Sequence, residues 1–80
     1  MEEKPTAFIV PGIAFTRQGE RLGRGLGFYD RLLSQHPYVP KIGLCHSSQL
    51  VAERLPVEKH DVKMQYLCTD KMLVKCKSSV

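Results

Sequence analysis

Residues 7–15 read AFIVPGIAF, a nearly unbroken apolar stretch close to the beginning of the 80-residue sequence. Its apolar residues do not alternate with polar ones, so a strand built from it would present apolar side chains to both faces of a sheet. Strands of this kind belong to parallel sheets that are covered by helices on both sides. The stretch therefore predicts one strand over residues 7–15 within an α/β sheet.

The rest of the sequence predicts the elements that accompany this strand. Apolar spacing, caps and proline breaks indicate, in chain order, a helix over 28–35, a strand over 41–46, a weak helix near 48–54 and a strand over 62–69. This alternation is typical of an α/β fold. We expect one domain over residues 7–76, with a disordered lead at 1–6 and a disordered tail at 77–80.

The predicted elements do not suffice for a complete domain. One clear helix and one weak helix cannot cover both faces of a sheet, and an 80-residue chain buries only ~60–65% of its unfolded surface. We therefore expect the C-terminal part of a larger, largely parallel and helix-covered sheet, an open three-layer α/β domain that is incomplete here.

Charge and cysteine content limit the classes of partner and compartment. The net charge of +4 suits an anionic ligand without choosing among nucleotide, nucleic acid and membrane surface. Three cysteines without a C-x-x-C pair argue against a disulfide framework or a zinc site and favour a reducing compartment. The first residues lack the apolar region of a signal peptide, and no run reaches membrane-spanning length, so we expect a cytoplasmic protein.

The stretch RLGRGLGFYDR at residues 21–31 is a candidate phosphate-binding segment. Gly23, Gly25 and Gly27 would let backbone N–H groups approach a phosphate, and Arg21 and Arg24 would add bidentate contacts. The spacing fits neither the P-loop pattern nor the dinucleotide-binding pattern. A glycine-rich hairpin with solvated arginines explains the same residues equally well.

Two carboxylates are candidate metal ligands. Asp30 lies in the first turn of the predicted helix, where the helix dipole favours an acid even without a ligand. Its functional alternative is coordination of Mg²⁺ beside a nucleotide. Asp61 precedes the last predicted strand, an end that normally lies opposite the ligand crevice of an α/β sheet.

The strings VPGIAFTRQGERLGRGLGFYDRLL (10–33) and IGLCHSSQLVAERLPVEKHDV (42–62) together resemble the 5-formyltetrahydrofolate cyclo-ligase family, also called methenyltetrahydrofolate synthetase. The resemblance implies an enzyme that uses ATP and Mg²⁺ to convert 5-formyltetrahydrofolate into 5,10-methenyltetrahydrofolate. It also implies that the family's N-terminal half, with a basic segment and much of the folate pocket, is missing here. This chain would then be a truncated form that is inactive alone.

The resemblance assigns roles residue by residue. Nucleotide binding falls on Arg21, Leu22, Gly23, Arg24, Gly25, Leu26, Gly27, Phe28 and Tyr29. Arg21 and Arg24 would be catalytic, through the transferred phosphate, and Asp30 and Asp61 would hold Mg²⁺. The chain departs from the family at Thr16 and Gln65, where acids are frequent.

Two other interpretations stay open. The chain could be a non-catalytic nucleotide-binding remnant that serves as an interaction module. It could also be a small basic nucleic-acid binder, which we do not expect because Tyr29, Tyr38 and Tyr66 are scattered and form no stacking platform. Expected partners are thus ATP and a reduced folate, with no nucleic acid or membrane, and the oligomeric state is left open.

Overall fold

The computed structural model of the protein describes residues 6–23, 28–56 and 62–77. Its elements are β1 (Phe8–Val10), β2 (Ala14–Phe15), β3 (Arg21–Leu22), α1 (Phe28–Ser34), β4 (Lys41–Leu44), a 3₁₀ helix (Ser47–Gln49), β5 (Tyr66–Cys68) and β6 (Leu73–Lys75). Four strands form one sheet in the order β1-β4-β5-β6, with β1, β4 and β5 parallel and β6 antiparallel. The prediction of a partial α/β domain around a largely parallel sheet is confirmed.

The single strand predicted over residues 7–15 is wrong. The chain leaves the sheet after Val10, at Pro11 and Gly12, and β2 instead pairs antiparallel with β3 as a separate hairpin. A Cβ atom at Gly12 would lie 2.9 Å from both Phe15 Cζ and Arg21 Cγ, so glycine lets the hairpin fold back closely. The apolar run therefore forms two strands, β1 in the four-stranded sheet and β2 in the hairpin.

The first two residues of the glycine-rich stretch 21–31, Arg21 and Leu22, form strand β3 and so do not belong to a loop. Gly19 forms the turn with a φ of 89°, in the left-handed region that favours glycine. Met64 donates its backbone N–H to the Gly19 carbonyl at 2.8 Å. This bond fixes the hairpin to the segment that leads into β5.

The hydrophobic core lies on one face of the four-stranded sheet. The strand registers place Val10, Gly43, Leu67 and Val74 in one row across all four strands, and every member is buried. Phe15 packs on this row, because a Cβ atom at Gly43 would lie 2.5 Å from Phe15 Cε1. The full buried apolar cluster consists of Val10, Phe15, Leu33, Cys45, Met64, Leu67 and Val74. We call this side the covered face.

The remaining predicted elements agree in place and differ in extent. The helix predicted at 28–35 is confirmed as α1, and the strand at 41–46 as β4. The weak helix near 48–54 is only the 3₁₀ helix, and the strand predicted at 62–69 is confined to β5.

Strand β6 was not predicted from the sequence. A turn at Thr69 joins it to β5, with the Thr69 hydroxyl accepting the backbone N–H groups of Lys71 and Met72, each at 3.0 Å. The expected lead at 1–6 and tail at 77–80 fall mostly outside the described residues. Within the described ranges, no helix is long and apolar enough to cross a membrane.

Candidate functional site at the carboxyl ends of the parallel strands

The parallel strands β1, β4 and β5 end at the same edge of the sheet, where ligands bind in open α/β folds. Gln49, which follows β4, connects this edge to the end of β1. Its Nε2 donates to the carbonyls of Gly12 at 3.0 Å and Ile13 at 3.2 Å, and its Oε1 accepts the His46 backbone N–H at 2.8 Å. The loops after β1 and β4 are thereby held together.

Arg21 of β3 reaches this edge with a side chain that is only 6% exposed. Its Nη1 donates to the Pro11 carbonyl at 3.1 Å, its Nη2 lies 3.9 Å from Asp30 Oδ1, and its Cζ lies 5.3 Å from the centroid of the Tyr29 ring. Its Nε is buried without a hydrogen-bond partner among the described residues. The guanidinium is thus held between the end of β1 and the start of α1.

Asp30 occupies the first turn of α1, as expected. Its Oδ1 accepts the backbone N–H of Val62 at 3.2 Å, and its side chain is 22% exposed. Val62 is the residue after Asp61 in the sequence, so the two segments that carry the candidate acids are in contact. A partly exposed carboxylate beside an arginine can bind a hard cation or stabilise the guanidinium.

The predicted site residues fall into two groups. Arg21, Tyr29 and Asp30 lie together, with Leu22 and Gly23 directly after Arg21. A Cβ atom at position 23 would lie 2.5 Å from Arg21 Nη1, so Gly23 leaves room for the guanidinium. The second group lies outside the described residues and consists of Arg24, Gly25, Leu26, Gly27, Asp61 and the side chain of Phe28.

A second polar cluster at this edge was not predicted. Asp70, after β5, accepts the Ser47 backbone N–H at 2.6 Å, and its Oδ2 lies 3.5 Å from His46 Nε2. His46 Nδ1 accepts the Ser48 backbone N–H at 3.1 Å, which assigns the proton of a neutral imidazole to Nε2, facing Asp70. The Ser47 N–H foremost, with the Ser47 hydroxyl and His46 adding to it, lowers the pKa of Asp70.

This cluster had a signal in the sequence. Its histidine, serines and aspartate come directly after β4 and β5, and polar side chains at the ends of parallel strands meet at one edge. The sequence does not show that β4 pairs with β5, and it is this pairing that brings Asp70 beside Ser47.

The two departures from the family pattern have structural roles here. Thr16 donates its hydroxyl to Glu20 Oε1 at 3.2 Å, and both residues are 1% exposed. Glu20 Oε2 in turn lies 3.4 Å from Arg54 Nη2. A carboxylate therefore does lie beside position 16, supplied by Glu20. Gln65 accepts the Lys41 backbone N–H at 2.7 Å, at the opposite end of β4.

Sequence comparison matches this chain to proteins of one family. The model of the 5-formyltetrahydrofolate cyclo-ligase family matches residues 2–70. The 5-formyltetrahydrofolate cyclo-ligase of Escherichia coli K12 is 46% identical over 63 residues, which cover 76% of this chain and 34% of that protein. The cyclo-ligase of Mycolicibacterium smegmatis is 38% identical over 63 residues, covering 79% of this chain and 32% of that protein.

Solved structures give the same result. The 5,10-methenyltetrahydrofolate synthetase of Aquifex aeolicus superposes with a TM-score of 0.71 at 39% identity, over 90% of this chain and 36% of that chain. The synthetase of Mycoplasma pneumoniae gives 0.67 at 33% identity, over 78% and 37%. This chain spans about a third of the length of the relatives it matches. The chain belongs to the 5-formyltetrahydrofolate cyclo-ligase family.

Proposed function

We propose that this chain forms the C-terminal part of an enzyme that converts 5-formyltetrahydrofolate to 5,10-methenyltetrahydrofolate with ATP and Mg²⁺, and that it is inactive alone. Membership of the cyclo-ligase family supports the reaction class. The observation that carries the proposal is the meeting of Arg21, Tyr29 and Asp30 at the carboxyl edge of the sheet.

Arg21 is suited to bind the phosphates of ATP. Its guanidinium is already oriented by the Pro11 carbonyl, so little side-chain entropy is lost when a ligand binds. Phosphoryl transfer requires mainly positioning and neutralisation of charge on the phosphate oxygens, which a fixed arginine provides.

Asp30 and Asp61 are the residues proposed to hold Mg²⁺. The carboxylate of Asp30 is an oxygen donor of the kind that Mg²⁺ prefers, and its partial exposure leaves access for the ion. The bond from Val62 to Asp30 supports the pairing of these two acids, because Val62 adjoins Asp61. When bound, the ion would neutralise charge on the phosphate oxygens.

The proposed reaction joins the two substrates at this edge. The formyl oxygen of the folate attacks the terminal phosphorus of ATP, forming an O–P bond while the bond to the ADP oxygen breaks. The neighbouring folate nitrogen then attacks the formyl carbon and loses its proton, and the bond between that carbon and the phosphate oxygen breaks as phosphate leaves. Both steps need the folate held close to the nucleotide, a task we assign mainly to the part of the domain that this chain does not match.

The test uses a chimera in which this chain replaces the region it matches in the E. coli cyclo-ligase. We expect Arg21→Ala to weaken Mg²⁺–ATP binding by about 1.5–3 kcal/mol, the range for hydrogen bonds to charged groups. Isothermal titration calorimetry measures the affinity. The matched control is Arg31→Ala, because Arg31 is exposed on α1 and its loss changes the net charge equally. Unchanged affinity in Arg21→Ala, or an equal loss in Arg31→Ala, contradicts the nucleotide assignment.

One alternative is a non-catalytic nucleotide-binding remnant, because the guanidinium of Arg21, oriented by the Pro11 carbonyl, would suit nucleotide binding without catalysis as well. Under that alternative the 80-residue chain binds Mg²⁺–ATP by itself and requires Arg21 for binding. Its addition to the remainder of a relative would restore no methenyl product. Nucleotide binding and product formation therefore separate the two candidates.

A further inference from the structure

Two side chains bind three consecutive carbonyls in the connection between β1 and β2. The Pro11 carbonyl accepts from Arg21 Nη1 at 3.1 Å. The next two carbonyls, of Gly12 and Ile13, accept from Gln49 Nε2 at 3.0 and 3.2 Å. We call residues 11–13 the bridging loop. Arg21 and Gln49 are distant in the sequence, yet they bind neighbouring peptide groups of this one loop.

The bridging loop contains a residue whose backbone is unusually free. Gly12 has no room for a side chain, because a Cβ atom there would lie 2.9 Å from both Phe15 Cζ and Arg21 Cγ. Glycine adopts more backbone conformations than other residues, so contacts from outside the loop are needed to restrict it. The Pro11 oxygen and the Gly12 nitrogen belong to one planar peptide group, so a change of conformation at Gly12 moves the acceptor that orients Arg21. The bonds from Gln49 restrict that change.

Gln49 is itself held on a fixed backbone. It is the last residue of the 3₁₀ helix, and its Oε1 accepts the His46 backbone N–H at 2.8 Å, which completes a capping box. Asp70 holds the first turn of this helix by accepting the Ser47 backbone N–H at 2.6 Å. The amide of Gln49 therefore reaches the bridging loop from a rigid support.

The capping box explains only half of the contacts that Gln49 makes. The box uses the side-chain oxygen, and glutamate serves in it as well as glutamine does. The amide nitrogen instead donates to the carbonyls of Gly12 and Ile13. A glutamate at position 49 would turn a carboxylate oxygen toward these two carbonyl oxygens, neither of which has a proton to donate. Gln49→Glu thus keeps the cap and removes the contact with the bridging loop.

We propose that Gln49 is a positioning residue for nucleotide binding, which fixes the bridging loop so that the Pro11 carbonyl orients the Arg21 guanidinium. This inference rests on the proposed role of Arg21 in binding the phosphates of ATP. Gln49 does not touch the nucleotide and acts through the loop. An arginine that is oriented in advance loses less entropy when it binds a phosphate. Loosening the loop therefore weakens nucleotide affinity.

The test compares Gln49→Glu with Gln35→Glu in the chimera with the E. coli cyclo-ligase. Gln35 is exposed just after α1, so the control makes the same chemical change and the same change of charge. We expect Gln49→Glu to raise the dissociation constant of Mg²⁺–ATP at least about fivefold, the effect of losing a hydrogen bond, as measured by isothermal titration calorimetry. Gln35→Glu should leave this constant unchanged.

Steady-state kinetics separate positioning from a loss of folded protein. We expect Gln49→Glu to raise the KM for ATP and to leave the KM for 5-formyltetrahydrofolate unchanged. A smaller folded fraction would lower kcat and change neither KM. Gln49→Met removes the same donors without adding a charge, and it should weaken Mg²⁺–ATP binding as well. This second variant serves if the carboxylate of Gln49→Glu prevents folding.

A double-mutant cycle tests whether Gln49 acts through Arg21. In an Arg21→Ala background, Gln49→Glu should change the dissociation constant less than about twofold, because the side chain that it positions is gone. A full effect of Gln49→Glu in that background overturns the inference, and so does an equal loss in Gln35→Glu. If Arg21→Ala weakens binding and neither Gln49 variant does, this inference alone fails. If Arg21→Ala leaves the affinity unchanged, the proposed function fails and this inference fails with it.

Discussion

Asp30 satisfies a local rule of helix structure and also lies in the candidate site. An acid in the first turn of α1 is favoured by the helix dipole, by about 0.3–1 kcal/mol when exposed. The structure adds two contacts that the local rule does not require, the Val62 N–H and the Arg21 guanidinium. Asp30 therefore joins three segments at the strand edge in addition to starting α1, and these contacts support the proposal that it binds the metal.

A substitution that keeps the shape of Asp30 separates these roles. In the chimera we expect Asp30→Asn to leave the fold intact, because the amide oxygen can still accept from Val62. The Mg²⁺ concentration for half-maximal activity should rise at least about tenfold, since even an outer partner of a metal ligand has that effect. Steady-state assays across a Mg²⁺ titration measure it, with the exposed Glu53→Gln as control. An unaltered Mg²⁺ requirement would return Asp30 to a purely structural role.

The sequence predicted part of the site at this scale. The meeting of Arg21, Tyr29 and Asp30 follows from residues close together in the chain, so local spacing and family resemblance were enough. The cluster of His46, Ser47 and Asp70 depends on the pairing of β4 with β5, which no local pattern specifies. Residues that meet only through the sheet were therefore missed.

The β2–β3 hairpin is the element that the sequence analysis placed wrongly. Hydrophobic periodicity joined residues 7–15 into one strand, although Pro11-Gly12 is itself a turn signal. Burial decides the outcome, because leaving the sheet at Gly12 carries Phe15 over Gly43, where it is fully buried. A strand continued straight through residue 15 would lose this packing. The elements whose type depends on a single local period, α1 and β4, were placed correctly.

The contact between this hairpin and the sheet can be measured. We expect Gly43→Ala to lower the free energy of unfolding of the chimera by about 1–3 kcal/mol, the usual cost of overpacking a close contact. Its new methyl group would meet the Phe15 ring and Leu67. Urea denaturation gives the value. Combining it with Phe15→Leu tests the cause, because removing the ring should reduce the added cost of Gly43→Ala. Strict additivity of the two changes would mean that the hairpin does not pack there.

At the scale of the whole molecule, one face of the sheet is covered by the chain itself, and the opposite face, which carries Ile9, Leu44 and Leu73, is exposed. Because the sequence contains few helices, it predicted that the sheet would need to be covered by elements outside this chain. It did not indicate which face would lack cover, because that depends on the direction of the crossovers. Burial and chain entropy nearly cancel at this size, so an uncovered face weighs heavily on stability.

We therefore expect the 80-residue chain by itself to unfold in a broad, non-cooperative thermal transition. It should bind a dye that reports exposed apolar surface, and it should form no methenyl chromophore from ATP and 5-formyltetrahydrofolate. Differential scanning calorimetry and an absorbance assay test both, with the full-length E. coli cyclo-ligase as positive control. A sharp transition accompanied by ATP-dependent product from this chain would mean that the unmatched part is dispensable.

The rate of folding depends on the buried row across the four strands, which consists of Val10, Gly43, Leu67 and Val74. Its members come from both ends and the middle of the chain, so the contacts of Val10 with Gly43 and of Gly43 with Leu67 each require closing a long loop before packing compensates the lost entropy. Only the last pair, joined by the β5–β6 turn, is local. Chains dominated by such distant contacts fold slowly. During synthesis, Val10 cannot pack until the residues of β4 and β5 have emerged from the ribosome. Until then the apolar segments of the nascent chain stay exposed and accessible to chaperones.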